Sequence, residues 1–340
     1  MKVGLIGAGA IAPAHLHGFI RSRLVKSVVA ADPDKDAREQ LAAEFGIVKG
    51  TCARYQDVLA DAAVELVDVC TPHDLHHPVV LDALRAGKHV ICEKPLAMNV
   101  READEMIAAA QQHKRRLFCS LNQRMYPAHI EAKKIIDEGD LGQPFFGAVV
   151  VLGDEFARMD DPKSWKGDPK RAGGGALFDT GHHAVYMMQH FLGNATAVTC
   201  SARRLRVTAK GKADDTSVLA LEIGAHRGAS ITVTYAATGT PWSESRVIVG
   251  SQGSLHILDP CGDEEVEPLI GYHEKEFVRL RVHNPPNLHG YSIRKTIEHF
   301  LDCLLHDKQS EITLAEARAA VATMSAAYES ARTGQRVEVR

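Results

Sequence analysis

No apolar run in this 340-residue sequence reaches the roughly 18 residues that a membrane-crossing helix needs, so a helical membrane span is excluded. Charge of one sign is not in excess either. Forty Lys and Arg stand against forty-three Asp and Glu, a formal net charge of −3, whereas a dedicated nucleic-acid binder carries a clear basic surplus. There is no CxxC pair. The cysteines (Cys52, Cys70, Cys92, Cys119, Cys200, Cys261, Cys303) are odd in number and scattered, which suits small hydrophobes in a reducing cytosol, not a disulfide framework or a zinc site. The opening Met1-Lys-Val-Gly-Leu-Ile-Gly is not a long apolar segment with a cleavage site, so a cytoplasmic location is expected. Internal repeats and low-complexity linkers are also missing. What is there is 45% hydrophobic and 24% charged, the make-up of a soluble globular protein. At roughly 150 residues per domain, the length predicts about two domains.

The first third alternates short apolar runs with helical patterns. Lys2–Ile6, Ser27–Ala31, Leu66–Cys70, His89–Cys92 and Leu117–Ser120 suit parallel strands buried on both faces. Ala10–Leu24, Pro33–Phe45, Pro78–Ala86 and Val100–His113 read as helices, and Gly46 and Gly87 as left-handed residues closing two of them. Repeated alternation of this kind predicts an α/β fold with a doubly wound parallel sheet. After about residue 121 the pattern changes. A helix over Pro127–Glu138 precedes strand-like stretches at Phe145–Phe156, Ala195–Val207, Ser217–Ile223, Ala229–Ala236, Ser245–Val249 and Ser254–Leu258. Few helices intervene (Ala176–Leu192, then Ser292–His306 and Thr313–Thr333), which predicts an α+β domain with a mainly antiparallel sheet. The expected division is 1–121 and 122–340, with a short hinge near 120–125.

Gly7-Ala8-Gly9-Ala10-Ile11-Ala12 follows the first strand and opens a helix, the G-x-G-x-x-G/A pattern of dinucleotide-binding folds. The glycines allow a tight turn and close approach of a pyrophosphate, Ala12 is small enough for helix–strand packing, and the helix N-terminus favours phosphate. Asp32 ends the second strand 20 residues after Ala12, the offset of an acid that binds ribose hydroxyls. It also fits an N-cap before Pro33. A carboxylate there repels a 2′-phosphate, so NAD is favoured over NADP, with Lys35 and Arg38 near enough to soften the preference.

Three segments can carry chemistry. Thr71-Pro72-His73-Asp74-Leu75-His76-His77 follows a strand at the ligand-binding edge; its histidines lack matching carboxylates, so a polar loop lining the cofactor is favoured over a metal site. Glu93-Lys94-Pro95 ends another strand. Lys94 reads either as a side chain snorkelling to solvent or as a cation near the reacting oxygen, its pKa lowered by partial burial. A cis Lys94–Pro95 bond would aim it. Asp179 and His183 follow Gly173-Gly-Gly and lie four apart on a predicted helix, about 5–6 Å apart on one face. They read either as an ordinary surface pair or as a proton-transfer residue with its carboxylate.

Together, Gly7-x-Gly9-x-x-Ala12, Asp32, Thr71-Pro72-x-x-x-His76, Gly87-Lys-His-Val-x-Cys-Glu93-Lys94-Pro95, Arg124 and Gly-Gly-Gly-x-x-x-Asp179-x-Gly-x-His183 resemble the glucose-fructose oxidoreductase / inositol dehydrogenase / rhizopine catabolism (Gfo/Idh/MocA) family over almost the whole chain. The resemblance implies an N-terminal Rossmann domain and a C-terminal domain whose open sheet forms a homodimer or homotetramer. It implies NAD bound by Gly7, Gly9, Ala10, Ile11, Ala12, Asp32, Thr71, Pro72, His73, His76, Glu93, Lys94 and Arg124. His183 would be the general base, Asp179 its orienting carboxylate or a hydroxyl acceptor, and Lys94 the group stabilising the alkoxide and touching the nicotinamide ribose. Lys94, Arg124, Trp165, Asp179, His182, His183 and Tyr291 are the expected contacts for a sugar, sugar acid, inositol or related polyol, with His289 a further candidate.

The chain departs from the family pattern twice: His73 stands where Asn is common, and Tyr186 where many members carry Asp. The charged loop with Arg158, Asp160, Asp161, Lys163, Lys166, Asp168, Lys170 and Arg171 reads as a solvated loop or as part of an acidic-substrate site. Dehydrogenation is the leading expectation. Two others are a glycosidase or oxido-isomerase using transient oxidation without net NADH, and a non-enzymatic dinucleotide-binding regulator, which has no need of Lys94, Asp179 and His183.

Overall fold

The computed structural model describes the chain apart from residues 162, 207–211, 261–267, 274–275 and 281. Two compact units emerge: Met1–Met125 with Pro286–Arg318, and Tyr126–Pro285 with Ala319–Arg340.

The first unit alternates β1 (Lys2–Ile6), α1 (Ala12–Ser22), β2 (Ser27–Ala31), α2 (Lys35–Glu44), β3 (Val48–Cys52), α3 (Tyr55–Ala60), β4 (Val64–Val69), α4 (His76–Arg85), β5 (His89–Glu93), α5 (Val100–Gln112) and β6 (Leu117–Ser120). Its sheet is parallel in the order β3-β2-β1-β4-β5-β6. The order reverses between β1 and β4, which places a ligand crevice beyond their carboxyl ends. Val3, Leu5, Leu66, Val67, Val90 and Ile91 have no exposed surface, as strands covered on both faces require. β3 and α3 were not legible in the sequence, because β3 is an edge strand, Val-Lys-Gly-Thr-Cys, with one buried residue and no apolar run. Gly87 has φ +74°, as expected of a helix-closing glycine, but Gly46 does not enter the left-handed region; Phe45 ends α2 in extended backbone.

In the second unit, α6 (Pro127–Glu138), β7 (Pro144–Leu152), α7 (Phe156–Asp160) and α8 (Pro169–Ala172) lead to a π-helical turn, Leu177–Gly181, that runs into α9 (His182–Leu192). Then come β8 (Ala197–Arg203), β9 (Thr216–Ile223), β10 (Arg227–Thr234), β11 (Ser243–Gly250), β12 (Gly253–Pro260), β13 (Leu269–His273) and β14 (Glu276–Arg279). With β15 (Val337–Glu338) they form a sheet in the order β14-β13-β12-β11-β7-β10-β9-β8-β15. Among the described strands of this sheet only β7 and β10 pair in parallel; its remaining pairings are antiparallel. Burial alternates along β9 and β11, the period of two of a sheet with one covered face. Val207, expected at the end of β8, and Cys261 lie outside the described residues.

A single boundary at residue 121 does not describe these units. α10 (Leu288–Leu305) packs in the first one, where Phe300 stacks on Phe118 of β6 at 4.7 Å between ring centroids and Ser292 accepts from Asn122 at 2.8 Å. α11 (Leu314–Thr333) is divided between the units after Arg318. The described cysteines are free, and all but Cys52 are buried. No helix among the described residues is long and apolar enough to cross a membrane.

Candidate active site

In the first unit the site grows from the β1–α1 turn. Gly7 has φ +100°, and a Cβ there would lie 2.4 Å from the Cys70 carbonyl oxygen, so the turn needs glycine. A Cβ on Gly9 would meet nothing within 4 Å, which leaves the backbone of this exposed residue open to a ligand. α1 begins at Ala12, not Ala10, with Ile11 at its N-cap and no side-chain cap bond, so its first N–H groups suit an anion. Asp32 is tied into the same turn. Its Oδ2 accepts from Ala8 N at 2.7 Å and its Oδ1 from Asp34 N at 2.8 Å. The N-cap of α2 is Asp34, which accepts from Asp36 N and Ala37 N; that role therefore does not fall to Asp32. Arg38 donates to the carbonyls of Asp32 and Pro33, and exposed Lys35 pairs with Glu39. A glycine cradle, an uncapped helix start and a positioned carboxylate together fit a dinucleotide.

Beyond β4, Thr71 and Pro72 lead into a 3-10 turn carrying buried His73, whose ring meets that of His76 at 5.6 Å. The ring nitrogens of His76 lie 2.8 Å from Pro95 O and 3.1 Å from Thr71 O, so His76 ties this loop to the Lys94 turn. Burial holds it below the usual imidazole range. The Lys94–Pro95 bond is cis, and Lys94 is half-buried. Glu93 was expected at the cofactor, yet its carboxylate points to the buried His15 at 3.1 Å. Arg124 pairs with Glu316 and donates to Glu311 O, which docks it on the start of α11. Tyr291, in the first turn of α10, lies under Arg294 at 5.2 Å, and His289 is exposed beside it.

In the second unit, Asp179 sits in the π turn and His183 in the first turn of α9, both about 7% exposed. The wide turn replaces the regular helix predicted between them; such turns recur at functional sites. Asp179 Oδ2 accepts from Lys166 and, at 2.8 Å, from Tyr235 Oη. Burial and the neighbouring Asp179 push the Tyr235 hydroxyl well above its ordinary value, so it stays a donor. Thr180 also bonds Tyr235. His183 Nδ1 lies 2.9 Å from Tyr186 Oη, so the residue at the family's Asp position is itself a partner of the imidazole. His182, expected at the substrate, has no exposed surface and sets its ring against Tyr186 at 5.7 Å. Trp165 is half-buried, with the Lys166 ammonium 5.9 Å from its ring. Elsewhere in this loop Asp160 pairs with Arg204 at 2.9 Å, Asp168 caps α8, and Arg158 pairs with Glu155 at 3.6 Å. Lys166 was named in the sequence only as one charge of this loop, with no partner assigned; Tyr235 and Asp214 were not singled out. Asp214 holds the Gly175 and Leu177 N–H groups ahead of Asp179.

Among the described residues, His15, Asp68 and Cys70 form a group with ligand atoms within 4.8 Å of one another. Its charges are already matched by an ion pair between His15 and Asp68 at 2.9 Å.

Two family models match the chain. One, described as oxidoreductase family, NAD-binding Rossmann fold, covers residues 1–121, and the GFO/IDH/MocA C-terminal domain covers 129–256. Levoglucosan dehydrogenase of Pseudarthrobacter phenanthrenivorans is 33% identical over 211 residues, 58% of this chain and 53% of that protein. The 1,5-anhydro-D-fructose reductase of Ensifer adhaerens is 32% identical over 206 residues, 58% of this chain and 60% of that one. The chain thus matches little more than half the length of these curated relatives. A levoglucosan dehydrogenase solved with NADH and L-sorbose superposes with a TM-score of 0.89 at 23% identity, covering 100% of this chain and 99% of that one, a likeness of fold.

Proposed function

Because the chain belongs to the Gfo/Idh/MocA oxidoreductase family and carries its NAD-binding Rossmann domain, we propose that it is an NAD-dependent dehydrogenase of a sugar, sugar acid, inositol or related polyol. The observation that carries this reading is the buried Asp179–His183 segment, in which Tyr186 holds Nδ1 of His183 at 2.9 Å and Lys166 and Tyr235 hold Asp179. NAD, when bound, accepts the hydride. With its Nδ1–H donated to Tyr186 Oη, His183 keeps a lone pair on Nε2 and takes the hydroxyl proton there as general base. Asp179 keeps the polar network around the base in register and accepts from a neighbouring substrate hydroxyl. Lys94 places a cation beside the developing alkoxide and reaches the nicotinamide ribose. The glycine turn receives the pyrophosphate, and Asp32, already oriented by Ala8 N, accepts from the adenosine ribose, which favours NAD over NADP.

The protein acts in the cytoplasm, in keeping with its free and mostly buried thiols. It forms a homodimer or homotetramer through the open face of the second sheet, where Val150 and Val218 are 41% and 50% exposed and flank Thr232. The test is incubation with NAD and a panel of levoglucosan, 1,5-anhydro sugars, inositols, aldoses and uronic acids, followed at the absorbance of reduced nicotinamide. NADH formation on at least one is expected. Release of an aglycone without accumulating NADH, or no turnover on any of them or on the corresponding ketones with NADH, contradicts it.

A further inference from the structure

We infer that His15 is a positioning residue for Lys94: its ring bridges Asp68 on β4 and Glu93 on β5, and so ties the strand end carrying Lys94 to the helix that opens at the dinucleotide turn. The inference rests on the reading of Lys94 as the catalytic cation. His15 lies in the first turn of α1. Its Nδ1 is 2.9 Å from Asp68 Oδ2 and its Nε2 is 3.1 Å from Glu93 Oε1. The other Glu93 oxygen accepts from the Lys94 backbone N–H at 3.2 Å. An unbroken path of direct bonds therefore runs from α1 through His15 and Glu93 to the Lys94 backbone.

The charge state supports a clamp. Burial opposes a charge on His15, yet the Asp68 carboxylate raises it well above its ordinary value. Burial also opposes charge on Glu93, but His15 and Lys94 hold its carboxyl down at about 2. Burial and Asp68 push the Cys70 thiol up to about 12, so it stays neutral beside them. Only the imidazolium carries an N–H on both nitrogens, which is what donation to two carboxylates requires. His15 and Asp68 have no exposed surface and Glu93 has 8%, so all three charges are desolvated. Apolar side chains of similar volume usually stabilise a fold as well as such a cluster, or better. Stability alone therefore gives no reason for three buried charges, whereas fixing one strand end against α1 does.

Two variants test this: His15→Gln, and a triple variant with His15→Leu, Asp68→Asn and Glu93→Gln that leaves no uncompensated charge. Both should keep NADH affinity and sugar KM within about three-fold while kcat falls about 100-fold, the scale of an ångström-sized misplacement of a reacting group. The triple variant should regain thermal stability without regaining kcat. Unchanged kcat in His15→Gln, or kcat that returns with stability, overturns the inference. Two readouts do not depend on turnover. Nitrogen NMR of wild type should find two N–H groups on His15 throughout neutral pH, and crystals of His15→Gln with NADH should have Lys94 Nζ displaced. A neutral ring, an undisplaced Nζ, or anomalous scattering from a metal between His15 and Cys70 overturns the clamp. If wild type oxidises no polyol while both structural readouts hold, the functional reading has failed and the clamp stands.

Discussion

Asp214→Ala removes the carboxylate from which the segment carrying Asp179 and His183 hangs. Oδ1 of Asp214 accepts from Gly175 N and Tyr328 Oη, both at 2.8 Å, and Oδ2 accepts from Leu177 N at 3.1 Å and Ser217 Oγ at 3.0 Å. The residue is only 9% exposed, so water cannot readily take over. Gly175 N keeps Tyr328 Oη as an acceptor at 3.1 Å, so three donors lose their acceptor, and at ~1 kcal/mol each, the low end for a stranded buried group, the loss is ~3 kcal/mol. For a domain of roughly 150–250 residues that lowers Tm by ~6–12 °C. Asp214→Asn keeps one acceptor oxygen and should lose about half as much. Tyr328→Phe strands one acceptor site and should cost ~1 kcal/mol. Because Asp214 and Tyr328 share a bond, Asp214→Ala with Tyr328→Phe should be less destabilising than the sum of the two. Thermal and urea unfolding of the four variants decides the matter. A Tm drop under ~3 °C for Asp214→Ala, or strict additivity in the double variant, excludes Asp214 as the anchor of this segment.

The dinucleotide turn gives a paired prediction. Gly7→Ala, strained at φ +100° and driven into the Cys70 carbonyl, should lose both stability and NADH binding, whereas Gly9→Ala should keep its Tm and lose NADH affinity by ~10-fold or more, measured by fluorescence titration. For pH, Glu93 lies below its unfolded value, so its contribution is complete above that value and is lost as pH falls through about 2. His15 lies above its unfolded value, so its contribution is complete in mild acid and is lost as pH rises through the raised value. The stability difference between wild type and His15→Gln should therefore be flat in mildly acidic buffer and shrink on the alkaline side; urea midpoints that diverge there contradict the assignment. Tyr186→Phe removes the partner of His183 Nδ1 and should lower kcat by ~10-fold with NADH affinity intact, as steady-state kinetics and titration will reveal.

What could be read from the sequence were features encoded by neighbours in the chain. β1, β2, β6 and α6 fall at the predicted residues, because continuous apolar runs and one strong helical period define them. The glycine turn, Asp32 and the Lys94-Pro95 turn were visible for the same reason. The partners of the site were not. Tyr235 reaches Asp179 across 56 positions, Asp214 reaches Gly175 across 39, and Asp68 reaches His15 across 53. Nothing local distinguishes these acids and hydroxyls from surface ones. Lys166 was visible only as one charge in a loop of alternating charges, and its contact with Asp179 depends on the fold of that loop. The return of α10 to the first unit rests likewise on packing such as Phe118 against Phe300, which amphipathic periodicity alone does not assign to a partner.

Hydride transfer in this protein depends, in the proposed function, on Lys94. Wild type and Lys94→Ala should be compared side by side for NADH affinity and for NADH production with the polyol that wild type oxidises fastest. Dinucleotide binding should be equal within a few-fold, and turnover reduced by ~100-fold or more in the variant. Turnover in Lys94→Ala at the wild-type rate, with binding likewise unchanged, would contradict that dependence.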